Sequence, residues 1–297
     1  SDIFNSVDTV IHLAGLSHDL GDASKIEDLY RKVNIDATVE LATLASQNNV
    51  KRFVFISSIK VNGEATRSPV ENSHRCSLRP KDAPGSATGN NTSKDSLNSK
   101  LQLLTSSSFS ESDRPDPKDP YGQSKYEAEL VLREIEAATG MEVVILRPPL
   151  LYGPEVKANF LKLIQWVDKG IPLPFGGIQN KRSLLSLSNF SDVISKSVTD
   201  PRAGGQTFTV CDGDDVSSRE LVERIAKALE KSPRLLPVPE WLLKCAGKLT
   251  GKSEQVQRLC SSLQVDSSHV RERLDWQPPV TMDEELSRVV EWYRSLS

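Results

Sequence analysis

The 297-residue sequence is short of several things, and each shortage excludes something. Its four cysteines, Cys76, Cys211, Cys245 and Cys260, are scattered with no C-x-x-C pair. Thiols in a reducing compartment are expected from this, not a metal site or a disulfide framework. No apolar run approaches the ~18 residues of a membrane span, and no signal-peptide pattern opens the chain. A cytoplasmic protein without a membrane partner is the expectation. Charge of one sign is also missing. Lys and Arg number 37 against 40 Asp and Glu, a net charge of -3, so no basic footprint for nucleic acid is present. The first residues, Ser1-Asp2-Ile3-Phe4-Asn5, include no initiator Met.

The residues present fit a folded chain with a core. The sequence is 37% hydrophobic and 26% charged, with length for one large or two ordinary domains. Val7 to Leu13 reads as a short buried strand ending at Ala14-Gly15. A helix of about 24–47 comes next, with Leu29, Val33, Ala37, Leu41 and Leu44 on one stripe. Arg52 to Ser57 and Met141 to Leu146 are two further buried strands. A helix from Tyr121 to Ala138 lies between them, and prolines 148, 149 and 154 break the backbone after the third strand. Beyond 154, short strands are expected at 183–187 and 206–211. Helices are expected at 160–169, at 189–198 with Asn189 as cap, at 218–229 with a Ser217–Glu220 capping box, and at 282–293. Strands alternating with helices indicate a doubly wound parallel α/β sheet with a smaller mixed region. Residues 65–118 break the pattern, with twelve Ser and almost no apolar run except 101–104. Such composition cannot offset the entropy of ordering. About 65–112 is therefore expected to be a disordered insertion, with His74 and Cys76 incidental and order resuming at Asp119-Pro120.

The chemistry centres on Tyr121-Gly122-Gln123-Ser124-Lys125. The spacing puts a phenol and an ammonium on one helical face. A cation beside a phenol favours the phenolate, which would lower its ordinary pKa of ~10. With 5 Tyr and 19 Lys in the chain, roughly 0.3 such pairs arise by chance, so the surroundings must decide. Ser57-Ser58 ends a parallel strand, where open α/β sheets bind ligands. Asn34 sits inside a helix, where its amide competes with the backbone.

Taken in order, His12-Leu13-Ala14-Gly15, Asn34, Phe53-Val54-Phe55-Ile56-Ser57-Ser58, Tyr121-x-x-x-Lys125 and Arg147-Pro148-x-x-x-Tyr152-Gly153-Pro154 resemble the extended short-chain dehydrogenase/reductases. These form the NAD-dependent epimerase/dehydratase family acting on nucleotide sugars. The resemblance covers nearly the whole chain outside 65–118. It implies a Rossmann-type sheet divided into a dinucleotide-binding part, 1–64 and 113–153, and a mainly substrate-binding part, 154–297. It implies Ser58, Tyr121 and Lys125 as the catalytic set. Tyr121 is then acid/base on the sugar 4-hydroxyl, Lys125 lowers its pKa and binds the nicotinamide ribose, and Ser58 holds the 4-oxygen. Leu13, Ala14, Gly15, Asn34, Ser57, Tyr121, Lys125 and Pro148 would border NAD or NADP. Asn159, Arg182 and Arg258 would join Ser58 in holding a UDP-sugar, and a homodimer through the helices at about 24–47 and 120–138 is implied.

Ile59-Lys60 stands where the family's 4,6-dehydratases place Asp-Glu. Dehydration needs its own acid and base, so the resemblance narrows to UDP-sugar 4-epimerases and 4-ketoreductases. The family's opening strand and Gly-rich turn, which bind pyrophosphate at a helix N-terminus, have no counterpart before Val7. By the family plan about 60 residues, two βα units, are missing, and with them the residue that separates NAD from NADP. The alternative expectation is a truncated, inactive member that keeps the fold but binds cofactor poorly.

Overall fold

The computed structural model describes residues 2–16, 23–66, 108–251 and 253–296. Strand β1 (Thr9–His12) leads through helix α1 (Ala23–Tyr30), a π-helical turn (Arg31–Asp36) and α2 (Ala37–Gln47) to β2 (Arg52–Ile56). Helix α3 (Pro120–Thr139) precedes β3 (Glu142–Arg147). Then come β4 (Leu150–Tyr152), α4 (Ala158–Asp168), β5 (Leu184–Ser186), α5 (Leu187–Thr199) and β6 (Thr207–Thr209). Helices α6 (Ser218–Ala228), α7 (Glu240–Leu249), α8 (Ser253–Cys260), α9 (Ser268–Leu274) and α10 (Met282–Ser295) complete the order.

One parallel sheet runs β1-β2-β3-β6, with Thr9 opposite Arg52 and Arg52 opposite Glu142. Strand β4 pairs with β5 in a second, two-stranded parallel sheet. Side chains alternate across a strand, and the main sheet uses both faces. Phe53, Phe55, Val143 and Ile145 pack with Ala42, Ala128 and Leu132 of α2 and α3 on one side. Val54, Ile56, Val144, Leu146 and Phe208 pack with Phe190 and Val193 of α5 and Val270 of α9 on the other. Continuous apolar strands are what a sheet covered on both faces requires. A further core gathers Phe160, Ile164, Ile225, Leu286 and Val289 from α4, α6 and α10.

Local chemistry explains most boundaries. Asp119 caps α3 by accepting from Gly122 N, with Pro120 at the first helical position. Capping boxes Ser217–Glu220 and Thr281–Glu284 start α6 and α10. Three sequence expectations are corrected. Asn189 does not cap α5; Ser186 does, and the Asn189 amide instead reaches Asp212 and the Val280 carbonyl. The helix expected over 24–47 is interrupted by the π-turn that contains Asn34. Order does not wait for Asp119, and the edges of the supposed insertion are held in place. Thr66 N donates to Ser262 O, Phe109 N to Gln264 O and Asp266 N to Phe109 O. Phe109 packs on Ile59, Leu263 and Val265. It also lies so close to Gly63 (φ 149°) that a Cβ there would come within 2.9 Å of its ring. Composition misjudged these edges because a single aromatic anchor does not change an average. Residues 67–107, with His74 and Cys76, lie outside the described residues.

No described helix is long and apolar enough to cross a membrane. Leu132 is fully buried between α3 and the sheet. Leu132→Ala is expected to cost about 3 kcal/mol, read as a lower urea midpoint. A loss below ~1 kcal/mol would contradict this packing.

Candidate active site

The carboxyl ends of β1, β2 and β3 meet the first turns of α3. Ser58 follows β2 in extended backbone (φ -155°, ψ 149°), and its Oγ accepts from Lys60 N at 3.3 Å. Its hydroxyl lies close enough to the Tyr121 phenol to act on its titration. The two residues, far apart in sequence, therefore meet, because Asp119 and Pro120 start α3 beside the turn that follows Ser58. Burial raises the Tyr121 pKa above its ordinary value; the neighbouring Ser58 hydroxyl works against this, and the Asp119 charge adds to it.

Lys125 is buried one turn on. Its Nζ donates to Ile56 O at 2.9 Å and lies 4.7 Å from the centre of the Phe55 ring. Burial lowers its pKa to about 8, while the nearby Glu129 carboxylate pulls the other way. The expectation that Lys125 lowers the Tyr121 pKa is corrected. The ammonium is itself poorly hydrated and turned to a backbone carbonyl, and burial of the phenol dominates.

The turn after β1 completes this side. Ala14 and Gly15 are exposed. A Cβ on Gly15 would come 2.9 Å from Lys125 Nζ and 3.3 Å from Asn34 Oδ1, so only glycine leaves this notch open. Asn34 is fully buried, and the π-turn aims its amide at that loop. It accepts from Leu16 N at 2.7 Å and donates to Leu16 O and to Ser124 Oγ, the latter at 2.9 Å. Such turns recur at functional sites. Asn34 thereby clamps the loop to α3. His12 bonds Thr38 Oγ1 through Nε2 and stacks on Phe55; burial, then the Lys125 charge, lowers its pKa to about 4, so it is neutral at pH 7. Pro148 is buried after β3, and its carbonyl accepts from Ile59 N.

Sequence reasoning missed the layer beneath. Glu129 accepts from Arg147 Nε at 3.0 Å, from Nη2 on the same edge of the guanidinium at 2.5 Å, and from Ser57 Oγ. Arg147 also donates to Asn62 Oδ1 at 3.1 Å, and Asn62 Nδ2 donates to Ser110 O. The Ser57 hydroxyl thus donates to this buried carboxylate. The signal was available: Glu129 lies four residues beyond Lys125, on the same helical face.

Toward the substrate side, charges form a chain. Lys60 lies 6.0 Å from the centre of the Tyr121 ring and bridges Asp119 and Glu64. Burial works against its charge, but those carboxylates outweigh it and raise its pKa. Glu64 approaches Arg258 Nε at 3.9 Å, and Arg182 donates to Arg258 O at 2.6 Å. Arg182, Arg258 and Tyr121 therefore share one side of the molecule. Asn159 is exposed in the first turn of α4, and its side chain makes no hydrogen bond among the described residues. A depression of about 660 Å³ lined by Asp8, Asn49, Lys51, Thr139 and Pro201 sits at the opposite, amino-terminal end of the strands, the wrong end of a parallel sheet for chemistry.

A family model described as Male sterility protein matches residues 1–186, and one described as GDP-mannose 4,6 dehydratase matches residues 103–289. The chain is 44% identical over 277 residues to a UDP-glucose 4-epimerase of Vibrio cholerae, covering 93% of this chain and 73% of that protein. The chain belongs to the extended short-chain dehydrogenase/reductase family of NAD-dependent epimerases and dehydratases. Within this family it is also 26% identical to an N-acetyl-alpha-D-glucosaminyl-diphospho-ditrans,octacis-undecaprenol 4-epimerase of Escherichia coli O157:H7, over 96% of this chain and 77% of that protein. Its fold matches a UDP-glucuronic acid 4-epimerase from Bacillus cereus in complex with NAD, with TM-score 0.69 at 18% identity, over all of this chain and 75% of that one. The 4,6-dehydratase match begins after Ile59-Lys60 and does not touch the segment that separates the two chemistries.

Between about pH 8 and 10.5 the unfolded chain holds the Lys125 proton and the folded one does not, so this residue's contribution to stability rises with pH across that window. The rise is expected to be roughly 3 kcal/mol. It should disappear in Lys125→Met, read as the difference between the two proteins in urea midpoint at pH 7 and pH 10.5. In Glu129→Gln the rise should begin at lower pH, because the carboxylate that supports the ammonium is gone.

Proposed function

We propose that this protein is an NAD-dependent nucleotide-sugar epimerase that inverts C4 of a UDP-hexose or UDP-N-acetylhexosamine. The observation that carries the reading is the Ser58–Tyr121 hydroxyl pair at the carboxyl edge of the sheet, with Lys125 on the next turn of the same helix. The 44% identical relative bears the name of this activity.

The residues fit the nicotinamide end of a dinucleotide. The Gly15 notch opens against Lys125, the exposed backbone of Leu13 to Gly15 borders it, and Pro148 closes the neighbouring strand end. NAD, when bound, supplies a hydride acceptor and then a hydride donor. Tyr121 takes the proton of the C4 hydroxyl as the C4 hydride departs, and returns it when the hydride comes back to the opposite face. Ser58 holds the C4 oxygen against the phenol. Lys125 places positive charge beside the nicotinamide ribose and favours the phenolate once ligands displace water. General acid–base help of this kind contributes about 10²–10⁴-fold. Arg182 and Arg258 hold the diphosphate, for which guanidinium geometry is suited, and Asn159 joins them from α4. Tethering the substrate there leaves the oxidised sugar free to turn over. Nothing in the chain at Ile59-Lys60 supplies the acid–base pair that elimination of water would require.

We assign the protein to the cytoplasm, consistent with the free thiols of Cys211, Cys245 and Cys260. A homodimer through α1–α2 and α3 would cover Leu29, Leu44 and Leu130, which are exposed apolar residues of those helices.

The test is interconversion of UDP-glucose and UDP-galactose, and of their N-acetyl counterparts, by the intact protein with NAD. Tyr121→Phe is expected to lower kcat by about 10²–10⁴-fold with unchanged fold by circular dichroism. Undiminished turnover in that variant would end the mechanism. Stoichiometric consumption of reduced cofactor would mark a reductase instead.

A further inference from the structure

Helix α7 hangs on the molecule by one side. Leu243 packs against the core of α4, α6 and α10, and Gly247 is buried. The opposite side is apolar and uncovered among the described residues. Trp241 is 66% exposed, Leu242 45% and Leu249 89%, and Cys245 and Ala246 between them are exposed as well. At 100° per residue these five positions occupy one continuous arc of the helix. Lys244 and Lys248, both exposed, line one border of that arc, and Lys244 is ion-paired with Glu240 at 2.7 Å. Leu236, just before the helix, adds a further exposed apolar side chain. A soluble helix ordinarily turns such an arc inward.

We propose that this face of α7 is a docking surface for an anionic lipid bilayer. Three observations favour that occupant. The first is charge. Residues 234–252 carry Arg234, Lys244, Lys248 and Lys252 against a single acid, Glu240, in a chain whose net charge is -3. A basic border beside Trp and Leu is the composition of a helix that lies in the plane of an interface, and Trp is the residue that settles at headgroup depth. The second concerns the chain's own candidate for covering the face, the stretch 67–107. It holds six basic and three acidic residues, so it has the same sign as the helix it would have to cover. The third concerns a second copy. A two-fold contact sets the same patch against itself, and with the two helices antiparallel it would bring Lys244 and Lys248 of both copies to one basic seam. Docking of this kind needs no membrane-crossing segment, so the lack of a long apolar helix among the described residues does not bear on it.

Sedimentation of the intact protein with vesicles tests this. Vesicles containing phosphatidylglycerol are expected to carry the protein down at low salt, and phosphatidylcholine vesicles to carry at least tenfold less. Adding salt should weaken the former. Trp241 fluorescence should shift to the blue on binding, a change absent in Trp241→Phe. Trp241→Glu with Leu249→Glu is expected to lower vesicle binding at least tenfold. Because both side chains are exposed, the urea midpoint should not move. Lys244→Glu with Lys248→Glu should remove the salt-sensitive part. Three results would overturn the proposal: no pelleting with either vesicle, pelleting undiminished in the Trp241/Leu249 variant, or a concentration-dependent oligomer that this variant abolishes while vesicle binding is absent. The last would assign the face to a second copy.

Discussion

The buried carboxylate of Glu129 is the contact on which the site depends. It receives the Nε/Nη2 edge of the Arg147 guanidinium and the Ser57 hydroxyl. Two charges removed from water cost several kcal/mol each unless partners fill their hydrogen-bonding positions. Here the partners come from three elements. Glu129 belongs to α3, Ser57 to the end of β2 and Arg147 to the end of β3, and Arg147 extends the set to Asn62 and, through it, to Ser110. A helix packed on a sheet by apolar contacts alone can slide or roll a little. One that must satisfy this carboxylate cannot. The rotation of α3 is thereby set, and with it the directions of Lys125 and Tyr121, one and two turns back along the same helix.

Above that layer, burial acts on both reacting groups in the same sense, toward the uncharged form. It raises the Tyr121 phenol and lowers the Lys125 ammonium. In the protein alone the two do not form a phenolate–ammonium pair, and Lys125 is held by the Ile56 carbonyl. On the other side, Lys60 lies between Asp119 and Glu64, and Glu64 lies between Lys60 and Arg258. Carboxylates and cations alternate from the phenol to the arginines. The Glu64 carboxylate balances the charge of Arg258, which limits the cost of holding Arg182 and Arg258 close together.

Much of the fold was legible in the sequence. Uninterrupted apolar runs at 53–56 and 143–146 pointed to a sheet covered on both faces, because such an arrangement buries both sides of a strand. The Ser217 and Thr281 capping boxes stated two helix starts outright. The Tyr121–Lys125 spacing, with Ser58 at a strand end, named the pieces of the site, since helical periodicity and strand termini are local properties. Tertiary structure alone decided how those pieces interact. It turned Ser57 inward while Ser58 faces Tyr121. It put a π-turn under Asn34 so that its amide clamps Leu16, and it anchored Phe109 beside Gly63 within a stretch whose composition argued for disorder. It reversed the expected shift of the Tyr121 phenol, because a pKa depends on the water a group has lost and on where neighbouring charges point. Spacing along a chain gives which residues share a face. Hydration and orientation arise only when distant segments close over one another.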